Sequence, residues 1–276
     1  MNEQIATAVF DPAPLEINLE RLPFETDKGV GMRAALGLLV LESDQTIEDE
    51  FRAIWPTAGV ALYGARLHND ANITPETLKA MEGLIAPTTL LLPPAVDLSV
   101  VAFACTSGAM VIGEQRVAAL IRTVRPRAAI TDPVTAAIAA LRASGVRRVG
   151  LLTPYTSDIN ARLRTALIAR GLDIPVMGSF NESDDDIVAR ITPTAILDAI
   201  IKLGKLSSCD GVFVSCTSLR VARIVEEAET LIGKPVTSSN HALAWHMLRL
   251  AGIDDDIAGF GRLYRSRLAG QALAPP

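Results

Sequence analysis

Two stretches decide the fold: SVVAFACTS (Ser99–Ser107) and GVFVSCTS (Gly211–Ser218). Each is a short, unbroken apolar run that ends in Cys-Thr-Ser. A run of this length without polar alternation fits a parallel strand covered on both faces. Similar runs occur at LGLLVL (Leu36–Leu41) and RRVGLLT (Arg147–Thr153), and longer helix-like stretches follow them, TIEDEFRAIWP (46–56) and NARLRTALIARG (160–171). Apolar strands alternating with helices imply an α/β protein whose parallel sheets are flanked by helices.

The two Cys-Thr-Ser runs belong to a wider internal echo. Leu36-Gly37-Leu38-Leu39 with Ser43-Asp44 resembles Val149-Gly150-Leu151-Leu152 with Ser157-Asp158. Pro133-Val134-Thr135 resembles Pro235-Val236-Thr237, and Leu141–Gly145 resembles Leu248–Gly252. The offsets are 113 for the Gly pair, 111 for the cysteines, 102 for the prolines and 107 for the late glycines. This order predicts a duplicated unit: two pseudo-symmetric lobes with the active site in the cleft between them. Residues 34–134 plus 238–276 are expected to form the first lobe and 135–237 the second. Residues 1–33, with Pro12, Pro14 and Pro23 and no sustained periodicity, are expected to form an arm over the body or a neighbouring subunit.

The chain has 276 residues, a formal net charge of −5 and 49% hydrophobic residues. An acidic balance without Lys/Arg clusters argues against nucleic acid as a partner. No apolar run approaches the ~18–20 residues of a membrane span, so no membrane partner is expected. The N-terminus lacks the basic start and apolar core of a secretory signal, which makes the cytoplasm the expected location. Three cysteines without CxxC give no disulfide framework. Three scattered histidines (His68, His241, His246) give no metal site, and there is no GxGxxG or P-loop. No metal or cofactor is therefore expected, and several copies of the chain are expected to assemble.

Cys105 and Cys216 each fall at the carboxyl end of a strand, where open α/β sheets bind ligands. Each also precedes a helix-like stretch, so each is expected near a helix N-terminus that favours thiolate and binds carboxylate. Thr106, Ser107, Thr217 and Ser218 would add hydroxyl donors. Two thiols on opposite faces of one carbon suit a reaction in which one removes a proton or adds as nucleophile while the other supplies a proton. Packing as small core residues is the alternative reading of any single cysteine, and Cys209, without a counterpart, is read that way. The acidic runs Asp184–Asp186 and Asp254–Asp256 read as solvated loops or caps, with Asp185 near a pocket loop.

ACTSG around Cys105, SCTSL around Cys216, GVRRVGLLTPYTSDIN (145–160) and PVTSSN (235–240) together resemble the aspartate/glutamate racemase superfamily. Within it they are similar to the branch of maleate cis–trans isomerase, arylmalonate decarboxylase and ectoine-utilisation proteins. The resemblance spans roughly residues 34–262. It implies a cofactor-independent racemase or isomerase acting on a small carboxylate, with Cys105 as nucleophile or base and Cys216 as the opposing acid or base. It further implies that Tyr155 hydrogen-bonds a substrate carboxylate and that Ser239 and Asn240 lie by the same pocket, although these two also suit a helix N-cap. Maleate isomerases carry a PSSN-like segment after strand one, where this chain has Leu41-Glu42-Ser43-Asp44. Asp44 there suits a nitrogen group on an amino-acid-like substrate, as in ectoine breakdown, or else a helix cap. Maleate isomerisation, arylmalonate-type decarboxylation and ligand binding without chemistry are the alternatives.

Overall fold

The computed structural model describes residues 19–55, 58–70 and 72–268. Two four-stranded, wholly parallel sheets share one topology. β1 (Ala34–Leu41), β2 (Val60–Leu67), β3 (Val100–Ala104) and β4 (Ala129–Thr131) lie in the order β2-β1-β3-β4. β5 (Arg148–Thr153), β6 (Asp173–Ser179), β7 (Gly211–Val214) and β8 (Val236–Ser238) lie in the order β6-β5-β7-β8. The central strands are buried along their whole length in β1, β3 and β7, as expected for parallel strands sandwiched by helices. Gly37 in β1 is required by that closeness: a Cβ there would sit 2.8 Å from Leu92 Cδ1.

The helices of the first half are α1 (Ile47–Ile54), α2 (Pro75–Ala80), α3 (Glu82–Leu90), α4 (Thr106–Ile112), α5 (Glu114–Arg122) and α6 (Pro133–Ala143). Those of the second are α7 (Ser157–Ala169), α8 (Asp185–Arg190), α9 (Pro193–Gly204), α10 (Val225–Ile232) and α11 (Ser239–Leu250). α6 and α11 pack on one another, and α11, which leaves the second sheet, also packs on α1 and β3 of the first. One of the sequence echoes is out of register. Pro133-Val134-Thr135 opens α6 behind the Asp132 N-cap, whereas Val236-Thr237 belongs to β8 and the cap of α11 is Ser238. A proline at the first helical position and a proline before a strand look alike in sequence because both need only φ near −65°. The late glycines do correspond: Gly145 and Gly252 both take positive φ, 71° and 74°, just past α6 and α11.

Residues 1–18 of the expected arm and 269–276 of the expected first lobe lie outside the described residues. Residues 19–33 form no helix or strand and are mostly exposed, with Arg33 pairing Asp255 at 2.6 and 2.8 Å. No helix among the described residues is long and apolar enough to cross a membrane.

α11 is anchored by Arg249, only 1% exposed, which donates to the carbonyls of Ile253 (2.6 Å), Tyr264 (2.8 Å) and Ser266 (2.9 Å). A charged donor that fans out over backbone carbonyls ties the C-terminal segment down, with the exposed Asp254 carboxylate 3.9 Å away. Arg249→Met is expected to leave those acceptors without a donor and to lower unfolding free energy by about 3–5 kcal/mol, read as a shifted urea midpoint at constant slope.

Candidate active site

Cys105 follows β3 and is the N-cap of α4, in extended backbone with its Sγ accepting the Gly108 N–H at 3.2 Å. The Ser107 hydroxyl is 3.7 Å from the same sulfur. Cys216 follows β7, but no helix starts there. Its φ is +143°, and α10 begins only at Val225, after a 3₁₀ turn at Ala222–Ile224. The expected helix N-terminus at the second thiol is therefore absent.

Side chains from the start of α1, from α1 itself and from α11 take up the hydrogen-bonding groups that a helix there would use internally. The Thr46 hydroxyl donates to the Ser218 carbonyl (3.0 Å), and Asn240 Nδ2 donates to the Thr217 carbonyl (2.7 Å). The N–H groups of Val221 and Ala222 both donate to Glu50 Oε1 at 2.6 Å. Each group so engaged is withdrawn from the i,i+4 ladder.

Both sulfurs line one cavity, together with Thr106, Ser107, Tyr155, Thr217 and Ser218. Its remaining walls are Leu41, Ile73, Leu78 and Met81 on the apolar side, and Asn69, Asp70, Asn72 and Asp185 on the polar side. Tyr155 is held through its carbonyl, which accepts from Asn160 Nδ2 (2.7 Å) and Ser179 Oγ (2.6 Å). Among the described residues no group of three or more His, Cys, Asp or Glu is placed to hold a metal ion.

Three residues expected at the pocket stand one layer behind it. Ser239 Oγ accepts from the Thr106 hydroxyl (2.8 Å) and from the Cys216 N–H (3.0 Å), so one hydroxyl pins both cysteine segments together. Asn240 is fully buried and spans Thr217 and Glu50 Oε2 (2.9 Å). The N-cap alternative for this segment falls to Ser238, which caps α11 through the His241 N–H. Asp44 does not line the cavity: its Oδ1 accepts the N–H groups of Thr46 and Ile47, both at 2.8 Å, as a cap at the start of α1.

The carboxylate that does reach the cavity is Asp185, 7% exposed. Its Oδ1 accepts the Ser218 hydroxyl (2.7 Å) and its Oδ2 the Ser43 hydroxyl (2.8 Å). The neighbouring Asp184 caps α8, as expected of an acidic run, and that cap turns Asp185 inward. Asp185 was expected near a pocket loop, whereas Glu50 had no place in the sequence expectations. It shares the 47, 50, 51, 54 stripe of α1 with three apolar residues, so the helical period of IEDEFRAI marked it as an acid on the buried face.

Burial governs the electrostatics. It pushes Cys105 up to about 12, against the Gly108 N–H and the Ser107 hydroxyl, which favour thiolate, and with the Asp185 and Asp44 charges, which oppose it. Cys216 is likewise pushed up by burial and by Asp185, while the Ser218 N–H and the Tyr155 hydroxyl favour its thiolate. Burial raises Asp44 to about 6 and Glu50 to about 7 despite their N–H donors. Burial therefore favours the neutral form of both thiols.

The family model for arylmalonate decarboxylase matches residues 56–264. The maleate isomerase of Nocardia farcinica is 29% identical over 241 residues, 83% of this chain and 95% of that protein. The arylmalonate decarboxylase of Bordetella bronchiseptica is 34% identical over 136 residues, 49% of this chain and 57% of that protein. Among solved structures, the Nocardia farcinica maleate cis–trans isomerase carrying a covalently bound succinylcysteine intermediate superposes with a TM-score of 0.77 at 28% identity, covering 84% of this chain and 98% of that one. With the family model matching residues 56–264, well over half of the chain and both cysteine segments, the chain belongs to the arylmalonate decarboxylase family.

Proposed function

We propose that the protein is a cofactor-independent isomerase that uses Cys105 and Cys216 as opposed acid and base on a small amino-acid-like carboxylate, with a place in ectoine breakdown. The observation that carries this reading is the presence of both thiols on one cavity. For racemisation, the thiolate of one cysteine takes the proton α to the carboxylate, and the electron pair moves into the carboxylate. The opposite thiol then delivers its proton to the other face, so that the centre is inverted and the sulfurs have exchanged protonation states. Thr106, Ser107, Thr217 and Ser218 supply donors for carboxylate oxygens, and Tyr155 sits beside Cys216 to ease its ionisation. The absence of Lys, Arg and His from the described lining supports a substrate with a single carboxylate over a dianion.

Maleate-type cis–trans isomerisation is the second reading, favoured by the relative at 29% identity and by the succinylcysteine on a similar fold. There one thiolate adds to an alkene carbon, forming C–S, while the π pair takes the proton of the other thiol. Rotation about the resulting single bond and reversal of both steps release the trans acid. The two readings differ in what exchanges with solvent: incubation in D2O labels the α-carbon of an amino-acid substrate in the first, whereas maleate is converted to fumarate in the second. Release of CO2 from a malonate would instead mark a decarboxylase.

On either isomerase reading, Cys105→Ser and Cys216→Ser are each expected to lower turnover by about 10³-fold or more, because a serine hydroxyl ionises far less readily than a thiol. Near-normal exchange or conversion in either variant would remove that sulfur from the chemistry. The raised thiols also predict the pH behaviour of the resting enzyme. Below a thiol's pKa its thiolate fraction rises about tenfold per pH unit. Iodoacetamide labelling of Cys105 and Cys216, followed by peptide mass spectrometry, should therefore climb without a plateau between about pH 7 and 9. A plateau near neutrality would mean that the empty site already holds a thiolate.

A further inference from the structure

Asp185 is a buried carboxylate in a cavity that contains no cationic side chain among its described lining residues. It belongs to the second half, on α8, yet its two hydroxyl donors come from Ser43, after β1, and Ser218, in the Cys216 segment. Among the described residues each oxygen accepts one hydrogen bond there, and a carboxylate oxygen can accept about two. Acceptor capacity therefore remains on the face turned to the cavity. Its described donors are neutral hydroxyls, so a positively charged group can still pair with it. The second acid of the lining, Asp70, is exposed, so water screens it.

We propose that Asp185 is the specificity-determining residue of the cavity, accepting an ammonium or N–H group of the substrate within reach of both thiols. The inference rests on the reading of this cavity as the substrate site and names the residue that selects its substrate class. It also couples binding to chemistry. Asp185 opposes ionisation of both cysteines after burial itself, so a bound cation at Asp185 cancels that opposition at the moment a substrate is present. A substrate carrying a second carboxylate would instead add like charge at the same point. The pairing of Asp44 with a substrate nitrogen is thereby replaced: the chain supplies a carboxylate for it, from α8 of the other half.

The test uses thiol alkylation, which needs no turnover. The full-length protein is treated separately with 2-bromoethylamine, iodoacetamide and iodoacetate, and labelling of Cys105 and Cys216 is normalised to a small free thiol under the same conditions. The wild type is expected to favour the cationic reagent over the anionic one by about tenfold or more relative to the free thiol. Asp185→Asn keeps a side chain able to bond both serine hydroxyls and should remove most of that preference, while Asp185→Glu should keep it and Asp70→Asn should change it little. No charge preference in the wild type, or an unchanged preference in Asp185→Asn, would overturn the proposal. The wild-type measurement decides the matter even if the Asn variant does not fold. A lost preference in Asp185→Asn with no deuterium exchange into any amino acid would leave Asp185 standing and defeat the reading as an amino-acid racemase. Exchange without charge preference would do the reverse.

Discussion

The carboxylate of Glu50, on the buried face of α1, accepts two backbone N–H groups from the segment after Cys216 and the side-chain amide of Asn240. Charge-assisted bonds of this kind are strong, and removing one partner of a buried set leaves the rest unsatisfied at a cost of several kcal/mol. The Cys216–Ala222 segment has no regular structure of its own until the 3₁₀ turn. Its course is set by Glu50 and Thr46, reached across the junction of the two halves, and by Asn240 of α11. The second thiol thus has its position only when the first half is folded against it. Ser239 closes the arrangement by joining Thr106 to the Cys216 N–H through one oxygen.

The parts legible from sequence were those governed by burial along a single element. Apolar runs without alternation marked β1, β3, β5 and β7, and the repeated Cys-Thr-Ser marked where both sheets present their carboxyl ends. What stayed hidden depended on contacts between distant segments. Asp185 could be placed near a pocket loop, but its burial as an acceptor became visible only with Ser43, 142 positions away, beside it. Cys216 looks like the start of a helix because Thr-Ser after a strand is good capping chemistry. The helix does not form there because partners from elsewhere claim its backbone. Asp44 carried two readings, and the N–H groups of Thr46 and Ile47 engage one of its oxygens as a cap while Oδ2 is buried without a hydrogen-bond partner among the described residues.

A site built from buried thiols, hydroxyls and carboxylates without cations has a particular economy of protons. Burial holds the thiols neutral, and the same burial raises Glu50 and Asp44 toward neutrality. Removal of water from such a pocket strengthens each remaining hydrogen bond, and it makes the protonation state depend on what enters. The enzyme family to which the chain belongs includes both isomerases and decarboxylases. That breadth is intelligible if the scaffold supplies proton donors on opposite faces and leaves charge recognition to a few lining residues.

The positive φ of Cys216 bears on how such a protein can change over generations. Backbone in that region is costly for a side chain with a Cβ, by about 1–3 kcal/mol, and nearly free for glycine. Cysteine and glycine codons differ by one base, so the mutation that relaxes the fold at this point is also among the easiest to acquire, and it deletes a thiol. Cys105, in ordinary extended backbone at φ −144°, offers no such reward for its loss. Cysteine at 216 thus keeps a side chain in a backbone conformation that glycine would adopt at almost no cost.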